Sequence, residues 1–514
     1  MKTLPLLTTL PLALCPAVLA QVGPPSAVVF VDTNATGANT GGNWVDAYTS
    51  LEVALSSNGP GTTYWIAEGT YRPTAIQSSG DLRTATFVVE DGDRLFGGFR
   101  SGDVPNPSSR TGLAENTILD GNVNPSNPAD GVFHVVTALG DDRDLTVING
   151  LHIRGGDATV LAGDPPAPPD GGVYVRASAE LGGGILFQPP GPILVPPAGE
   201  PLPRSTLFVE GCILRDNRAR DGGGIYAQNG SLDVAADKSS GPFDLFTSES
   251  LFEGNSALGR GGAICTAFVG YGYTDGVSKT HVDSHIYNTR FADNWANNGG
   301  ALYLGTPLDL APDTRQIVAN CVLTDNVAEV GGAMYFLNFT PSDVTLCTIA
   351  YNAAFSRGGG IYLAGGQGKV PEVAMTISDS IFFRNAALAD TGDSDVFVPG
   401  GGTICDDNPV VIAHNRVQSD SLQAIISENC DDGVDYSGNI ASSPKFVSAS
   451  NRDFRLRATS PCVDAGDTLF PTFPAPDWFD FDNDGNLIGE IVTQDLDLAT
   501  RQVGAIDMGA YERQ

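Results

Sequence analysis

The chain is long, acidic and moderately hydrophobic. It has 514 residues, of which 41% are hydrophobic, and 60 acidic residues against 28 basic ones give a formal net charge of −32. This charge disfavours nucleic acid and anionic membrane surfaces as partners, because both are themselves negatively charged. The length leaves ample apolar material for a core.

Residues 1–20 are predicted to be a secretory signal peptide. A lysine at position 2 precedes an apolar stretch over residues 4–14, and the sequence VLA at 18–20 ends the segment. No later run of 18 apolar residues occurs, so we expect no helical membrane span. The protein is therefore expected to lie outside the cell or on its surface.

Residues 21–60 are predicted to form a strand and a capping helix. Apolar residues recur at helical spacing over residues 43–56, and Asn43 and Asp46 are placed to cap the helix N-terminus. The residues on the apolar face are Trp44, Ala47, Tyr48, Leu51, Ala54 and Leu55. Because the end of a repeat array needs a cover with a polar outer side, we expect this helix to close the N-terminal end of the domain that follows.

Residues 61–450 are predicted to form one repeat domain with loop insertions. The largest insertion is 157–205, where the sequences DPPAPPD, QPPGP and LVPPAGEPLP surround GGGILF at 182–187. Because proline cannot donate a backbone hydrogen bond, we interpret this region as two long loops that flank one coil.

A repeated unit occurs six times between residues 212 and 387. Each copy is centred on an asparagine, with a small residue five positions before it, a large apolar residue three positions before it and an alanine two positions after it. The asparagines are Asn217, Asn255, Asn294, Asn326, Asn352 and Asn385, and the small residues are Cys212, Ser250, Thr289, Cys321, Cys347 and Ser380. Five copies then close on a glycine pair, which suits a sharp turn.

This pattern predicts an all-β fold, a right-handed parallel β-helix of the pectate-lyase-like solenoid type with an N-terminal capping helix. Apolar and polar residues alternate with strand periodicity around each asparagine. Coils that pair with their neighbours would place the asparagines in a ladder, with side-chain amides bonded along the axis at a spacing of about 4.8 Å. The segments of variable length that follow the glycine pairs are expected to gather on one flank.

The repeats also resemble those of polymorphic outer-membrane proteins. The matching motifs are GGAI (261–264), GGAL (299–302), GGAM (331–334), FEGN (252–255), FADN (291–294) and FFRN (382–385). More broadly, the chain is similar to secreted bacterial right-handed β-helix repeat proteins through VDTNATG (31–37), NWVDAYTSL (43–51) and VGAIDMGAYE (503–512). The resemblance implies the fold and secretion, but the fold hosts adhesins, lyases and hydrolases, so it implies no single activity.

Asp293 and Asp325 are the candidate catalytic residues. Each directly precedes a ladder asparagine in neighbouring coils, so their carboxylates should lie about 5 Å apart, near the separation in a retaining glycosidase. The alternative is a column of turn acids exposed to solvent, to which Asp216 also belongs. Arg357 and Arg384 are candidates for contact with an acidic sugar, against the simpler interpretation of isolated surface arginines.

Residues 451–514 are predicted to form a C-terminal coil or cap with a calcium site. Asp480, Asp482 and Asp484 precede Gly485 in a D-x-D-x-D-G loop, with oxygen ligands at alternate positions. Glu490 stands one position before the acid that an EF-hand requires, so we expect at most a looser, structural calcium site. The alternative is a solvated acidic loop.

Five of the cysteines fall into two groups, and Cys265 and Cys462 are assigned to neither. Cys212, Cys321 and Cys347 occupy the small-residue column and are expected to be buried thiols. Cys405 and Cys430 flank a short segment after the last clear repeat, and secretion would permit a disulfide between them.

Two functions are compatible with these observations. The first is a secreted or cell-surface, non-catalytic β-helix that binds a polysaccharide, a cell-surface glycan or another surface, in adhesion or as a structural protein. The second is a polysaccharide lyase or glycoside hydrolase that acts in a groove on the flank of the β-helix. The acidic composition and the five scattered lysines favour the first.

Overall fold

The structure is a computed structural model, and part of the chain is described. The described residues are 27–77, 80–123, 131–140, 145–159, 180–188, 205–229, 243–268, 282–305, 315–337, 342–364, 375–389, 395–398, 410–418, 434–467, 473–474, 488–490, 495–497 and 506–513. The predicted signal peptide, most of 157–205, Cys405, Cys430 and the acids of the predicted calcium loop at 480–484 lie outside them.

The predicted parallel β-helix is confirmed. Its strands form four parallel sheets, which we number in the order in which the chain passes through them in each coil. Sheet 1 consists of Ala27–Val31, Thr62–Ala67, Arg94–Phe99, Leu145–Asn149, Ser205–Glu210, Phe243–Ser248, Val282–Tyr287, Gln316–Ala319, Ser342–Thr345, Met375–Ser378, Val410–Ala413 and Val434–Asp435. Sheet 2 consists of Gly69–Tyr71, Thr117–Asp120, His152–Arg154, Ile213–Arg215, Leu251–Glu253, Arg290–Ala292, Val322–Thr324, Thr348–Ala350 and Ile381–Phe383.

The other two sheets complete each coil. Sheet 3 consists of Asp157–Ala158, Arg218–Asp221, Ser256–Arg260, Trp295–Asn298, Val327–Val330, Ala353–Arg357 and Ala386–Ala387. Sheet 4 consists of Phe87–Val89, Val136–Leu139, Ile185–Gln188, Ile225–Asn229, Ile264–Phe268, Leu302–Gly305, Met334–Leu337, Ile361–Ala364 and Val396–Phe397. The variable segments run from sheet 4 to the next strand of sheet 1. Outside the coils, two antiparallel pairs join Phe446–Ser448 to Asp453–Leu456 and Phe473–Pro474 to Ile488–Glu490.

Single residues with left-handed backbone geometry turn the chain between sheets. The corner that precedes sheet 3 is formed by Asp216, Gly254, Asp293, Asp325, Tyr351 and Arg384, all with positive φ. The corner that precedes sheet 4 is glycine in every copy from Gly182 to Gly358, with φ between +57° and +70°. A Cβ atom on Gly261 would lie 2.1 Å from the carbonyl oxygen of Ile264, so no other residue fits there. The second glycine of the pair has a separate reason, since a Cβ on Gly262 would lie 2.3 Å from the carbonyl oxygen of Gly300 in the next coil.

The asparagine ladder follows the corner before sheet 3. In the first five copies, Asn217 to Asn352, the side-chain Nδ2 donates to Oδ1 of the next asparagine along the axis over 2.9–3.1 Å. The same Oδ1 also accepts the backbone N–H of the preceding asparagine, as between Asn255 and Asn294 at 3.0 Å. Nδ2 also donates its other hydrogen to a backbone carbonyl oxygen; for Asn294, this is the carbonyl oxygen of Phe252 at 3.0 Å. All four hydrogen-bonding positions of the amide are therefore used inside the core, as a buried amide requires.

A second polar column runs along the corner before sheet 2. The backbone N–H of Cys212 donates to Ser250 Oγ at 3.1 Å, and that of Cys347 donates to Ser380 Oγ at 3.0 Å. The column continues through two asparagines that the repeat pattern did not include, because Ser380 N–H donates to Asn415 Oδ1 and Asn415 N–H to Asn439 Oδ1. Cys212, Cys321 and Cys347 are buried free thiols, together with Cys265 and Cys462.

The N-terminal helix is shorter than predicted. It spans Leu51–Ser57, and its N-cap is Ser50, whose Oγ accepts the N–H of Val53. Residues 43–50 precede the helix and contain a turn instead. Asn43 Oδ1 closes this turn by accepting the N–H groups of Val45 and Asp46 at 2.9 and 3.0 Å. Leu51, Ala54 and Leu55 nevertheless pack into the main core, as the apolar pattern predicted.

Replacing one ladder asparagine should destabilise the fold. In Asn294→Ala, the amide of Asn255 loses its acceptor and Oδ1 of Asn326 loses its side-chain donor, and we expect the free energy of unfolding to fall by about 3 kcal/mol. The measurement is the urea midpoint and melting temperature. Asn297→Ala is the matched control, because Asn297 is exposed in the strand Trp295–Asn298 that follows Asn294. Equal stability of the two variants would contradict the role of the ladder.

Candidate functional site

The outer face of sheet 3 carries exposed apolar side chains. Strand alternation turns the repeat alanines, such as Ala257 and Ala296, inward and their neighbours outward. The outward side chains include Leu258, Trp295, Phe355 and Leu388, with exposed fractions of 53%, 37%, 50% and 64%. Large exposed apolar side chains gathered on one rigid sheet indicate a contact surface.

Trp295 and Phe355 differ from the aromatic residues of the neighbouring sheet. On sheet 4, the side chains of Tyr303, Tyr335, Tyr362 and Phe397 form a stack with centroids 5.1 Å apart and planes within 18° of parallel. The faces of these rings are therefore largely covered by one another. Within the described ranges, neither Trp295 nor Phe355 stacks on another ring, so both leave aromatic surface accessible.

Arginines surround these two aromatic residues. Arg218, Arg220, Arg260 and Arg357 all lie on strands of sheet 3 and are exposed. Arg220 pairs with Glu180 and Asp221, and the Arg260 guanidinium lies 5.4 Å from the ring centroid of Tyr303. The strands of sheet 3 thus carry four arginines against Asp157, Asp221 and Glu329, so this face is close to neutral although the whole chain has a net charge of −32.

The predicted acid pair lies at the edge of the same sheet. Asp293 and Asp325 occupy adjacent positions in the left-handed corner column, as the repeat pattern predicted. Partial desolvation and then the negative charges of Asp325 and Glu253 raise the pKa of Asp293. Asp325 is engaged elsewhere, because both of its oxygens accept hydrogen bonds from Arg452, whose guanidinium lies 3.9 Å from the centroid of Tyr351. In this arrangement Asp325 anchors a distant segment and is not presented to a sugar.

That segment is the C-terminal region, whose described part lies along sheet 2. Its apolar side chains pack on the outer side of that sheet; the members of this cluster include Val322, Ala350, Ile381, Phe446, Phe454, Leu456, Met508, Ala510 and Tyr511. Backbone groups reinforce the contact, with Ala510 N–H donating to Thr348 Oγ1 at 3.2 Å and Gly509 N–H to the Asp379 carbonyl at 2.8 Å. The VGAIDMGAYE motif therefore docks the C-terminal region on the side of the β-helix.

A group of titratable residues on the outer face of sheet 1 escaped the sequence analysis. Asp244 and Asp283 are register partners on adjacent strands, and His285 and Tyr287 follow on the second of these strands. Their exposed fractions are 0%, 5%, 2% and 4%, so a polymer cannot reach them in this structure. Asp283 also accepts the backbone N–H of Arg315 at 2.6 Å, which is a structural use of its carboxylate.

A second missed group surrounds Arg110. Arg110 donates to Asn149, whose amide donates to Glu210 at 2.6 Å. Burial raises the pKa of Glu249 from 4.5 to about 7 against the opposing effect of Arg110. The cluster joins residues far apart in sequence, so local motifs gave no signal for it.

Among the described residues, no group of three or more His, Cys, Asp and Glu side chains could hold a metal ion. The calcium prediction is not tested by this result, since Asp480, Asp482 and Asp484 lie outside the described ranges and the side chain of Glu490 is not described either. The disulfide prediction for Cys405 and Cys430 is untested for the same reason.

Comparisons with known proteins agree on the repeat. A family model described as the Chlamydia polymorphic membrane protein repeat matches residues 249–267. A stretch of 111 residues is 34% identical to probable outer membrane protein pmp20 of Chlamydia pneumoniae, and the match spans 20% of this chain and 6% of that protein. The described helices include none that is long and apolar enough to cross a membrane.

Two solved structures are also similar. Pectate lyase Pel9A shares 14% identity with a TM-score of 0.39, covering 96% of this chain and 98% of that one. A family 28 exopolygalacturonase of Yersinia enterocolitica shares 10% identity with a TM-score of 0.21, covering 81% of this chain and 78% of that one. The assignment of the fold rests on the four parallel sheets of this chain.

The ion pair between Asp325 and Arg452 should hold the C-terminal region in place. Asp325→Asn keeps a side chain that tolerates the left-handed corner but removes the charge, and a partly exposed pair contributes about 1 kcal/mol. We expect trypsin to cleave after Arg455 and Arg457 about fivefold faster in native conditions. Asp216→Asn, three coils earlier in the same column, is the control and should leave the rate unchanged.

Stability should depend on the protonation of Glu249. Because its pKa is raised in the folded state, from 4.5 to about 7, folding is favoured at low pH and this contribution is lost as pH rises through that window. Melting temperatures between pH 4.5 and 8 should therefore decline less steeply in Glu249→Gln than in the wild type. The exposed Glu329→Gln serves as the control, and parallel profiles for Glu249→Gln and wild type would show the assignment to be wrong.

Proposed function

We propose that this protein is a secreted or cell-surface, non-catalytic binding protein, and that the outer face of sheet 3 binds a glycan. The observation that carries the proposal is the pair of exposed, unstacked aromatic side chains, Trp295 and Phe355, on a rigid sheet with arginines around them. The apolar C–H face of a sugar ring packs on an aromatic ring through dispersion and hydrophobic contact.

The geometry of the sheet suits an extended polymer. Trp295 is in register with Val327 and Ala353 of the next two coils, and Phe355 lies two residues beyond Ala353. The two aromatic residues are therefore about 10 Å apart along the axis and offset by about 7 Å along the strand. A chain that crosses the sheet obliquely to the axis can contact both residues at once. Because backbone ladders hold the two strands in place before binding, little conformational entropy is lost on association.

The expected extracellular location is consistent with the proposal. The signal peptide is a prediction from the sequence, and a relative of one stretch of the chain is named a probable outer membrane protein. Exposed glycans are abundant partners in that environment for a rigid, elongated molecule.

The alternative prediction, a polysaccharide lyase or glycoside hydrolase, is less well supported by the described residues. Of its two candidate carboxylates, Asp325 is paired with Arg452. The same polysaccharides used for binding should be assayed for release of reducing or unsaturated ends, with and without calcium, and turnover of any of them would favour the enzyme.

Binding should depend on the two aromatic residues. In Trp295→Ala with Phe355→Ala, we expect affinity for the bound polysaccharide to fall about tenfold or more, because both stacking contacts are removed. The measurement is electrophoretic retardation in native gels that contain neutral or acidic polysaccharides. Leu82→Ala is the control, because Leu82 is 64% exposed outside the repeat region. Unchanged retardation of the double variant, with an unchanged melting temperature, would refute a site on sheet 3.

A further inference from the structure

Arg357 differs from the other arginines of sheet 3. Arg218 lies 3.9 Å from Asp157, Arg220 contacts Glu180 and Asp221, and Arg260 lies 4.0 Å from Asp221. Arg357 is exposed and, among the described residues, has no carboxylate partner. It is therefore the arginine of this face whose charge is not already balanced by a neighbouring acid.

The guanidinium of Arg357 is nevertheless held in position. It lies 4.8 Å from the ring centroid of Phe397, which is 1% exposed and ends the aromatic stack of sheet 4. A guanidinium over an aromatic ring gains a cation–π attraction, and its N–H donors at the edge remain free for other partners. Arg357 is thus ordered before any ligand arrives, which lowers the entropy lost on binding.

Arg357 stands next to one of the two aromatic residues of the proposed site. Phe355 and Arg357 are two positions apart on the strand Ala353–Arg357, and both are exposed. A β-bulge lies between Ala354 and Arg357, because Ala328 pairs with Ala354 but Val330 pairs with Arg357. Both side chains are exposed on this strand, and their Cα atoms are separated by about 7 Å or less. This distance matches a sugar ring that packs on Phe355 and extends a substituent towards the guanidinium.

We infer that the glycan bound by sheet 3 is acidic, and that Arg357 selects it by binding a sugar carboxylate. This inference rests on the proposed function, since it assigns the ligand class of the same face. A carboxylate accepts two parallel hydrogen bonds from the planar guanidinium, which no neutral hydroxyl can do. Because the other three arginines of this face are paired with acids, the guanidinium of Arg357 is the one whose charge is available to an acidic polymer.

The test compares matched polymers that differ in charge. Wild-type protein and variants are run in native gels with carboxymethylcellulose against hydroxyethylcellulose, and with alginate against its propylene glycol ester. We expect the wild type to bind the acidic member of at least one pair about tenfold more tightly. In Arg357→Gln this ratio should fall to about one, with binding to the neutral polymer unchanged. Arg357→Lys keeps the positive charge but lacks the planar guanidinium with its two parallel donors, so this variant should retain only part of the preference for the acidic polymer.

The control is Arg100→Gln, which changes the net charge equally at an exposed arginine of sheet 1 that pairs with Glu68. Its preference should match that of the wild type. Equal binding of acidic and neutral polymers by the wild type, or an unchanged ratio in Arg357→Gln, would overturn the inference and leave the proposed glycan surface intact. Failure of the wild type to bind any of the four polymers would overturn both.

Discussion

The structure depends on the stacking of one coil on the next through side-chain amides as well as backbone groups. Each ladder asparagine lies where the chain has just turned through a left-handed residue, so backbone groups at this corner point away from the regular sheets. The amide satisfies them, because Oδ1 of Asn326 accepts both from the backbone N–H and from Nδ2 of Asn294. The last asparagine, Asn385, donates to the buried Asp395 instead, and this carboxylate closes the column. Without such a column, each coil would bury unsatisfied polar groups at a cost that apolar packing could not offset.

The sequence predicted the parts of the fold that local chemistry determines. The asparagines, the paired glycines and the alternation of apolar residues recur at fixed offsets because each coil meets the same steric and hydrogen-bonding demands. The predicted start of the N-terminal helix at residue 43 was wrong because it depends on contacts that are not local. Asn43 and Ser50 are both good capping residues. The competing turn at Asn43 is held by non-local hydrogen bonds that the sequence does not display, from Gly37 N–H to the Val45 carbonyl and from the Trp44 indole N–H to the Asp103 carbonyl.

Only part of the candidate site could be predicted from the sequence. The repeat register correctly placed Asp293 and Asp325 in one column, yet their role depends on Arg452, which is 127 residues from Asp325 along the chain. Likewise, the repeat did not mark Trp295 and Phe355, because outward positions on sheet 3 are free to vary while the inward alanines are not. Net charge was uninformative in the same way, since it does not show that four exposed arginines lie on sheet 3. Arg357 was a candidate from the start, but its importance became clear only from its position over Phe397 and beside Phe355.

On each strand of sheet 3, buried residues that determine the fold alternate with exposed residues that are available for binding. Inward alanines fix the shape of the coil, while outward residues such as Trp295 and Phe355 lie outside the core and can change without disturbing it. Duplication or loss of one whole coil between Trp295 and Phe355 would alter their separation by about 4.8 Å while leaving both rings in the same orientation. Duplication of a gene segment that encodes one coil can therefore change the axial distance between the two aromatic residues in uniform increments, and with it the spacing of sugar units that the surface can contact.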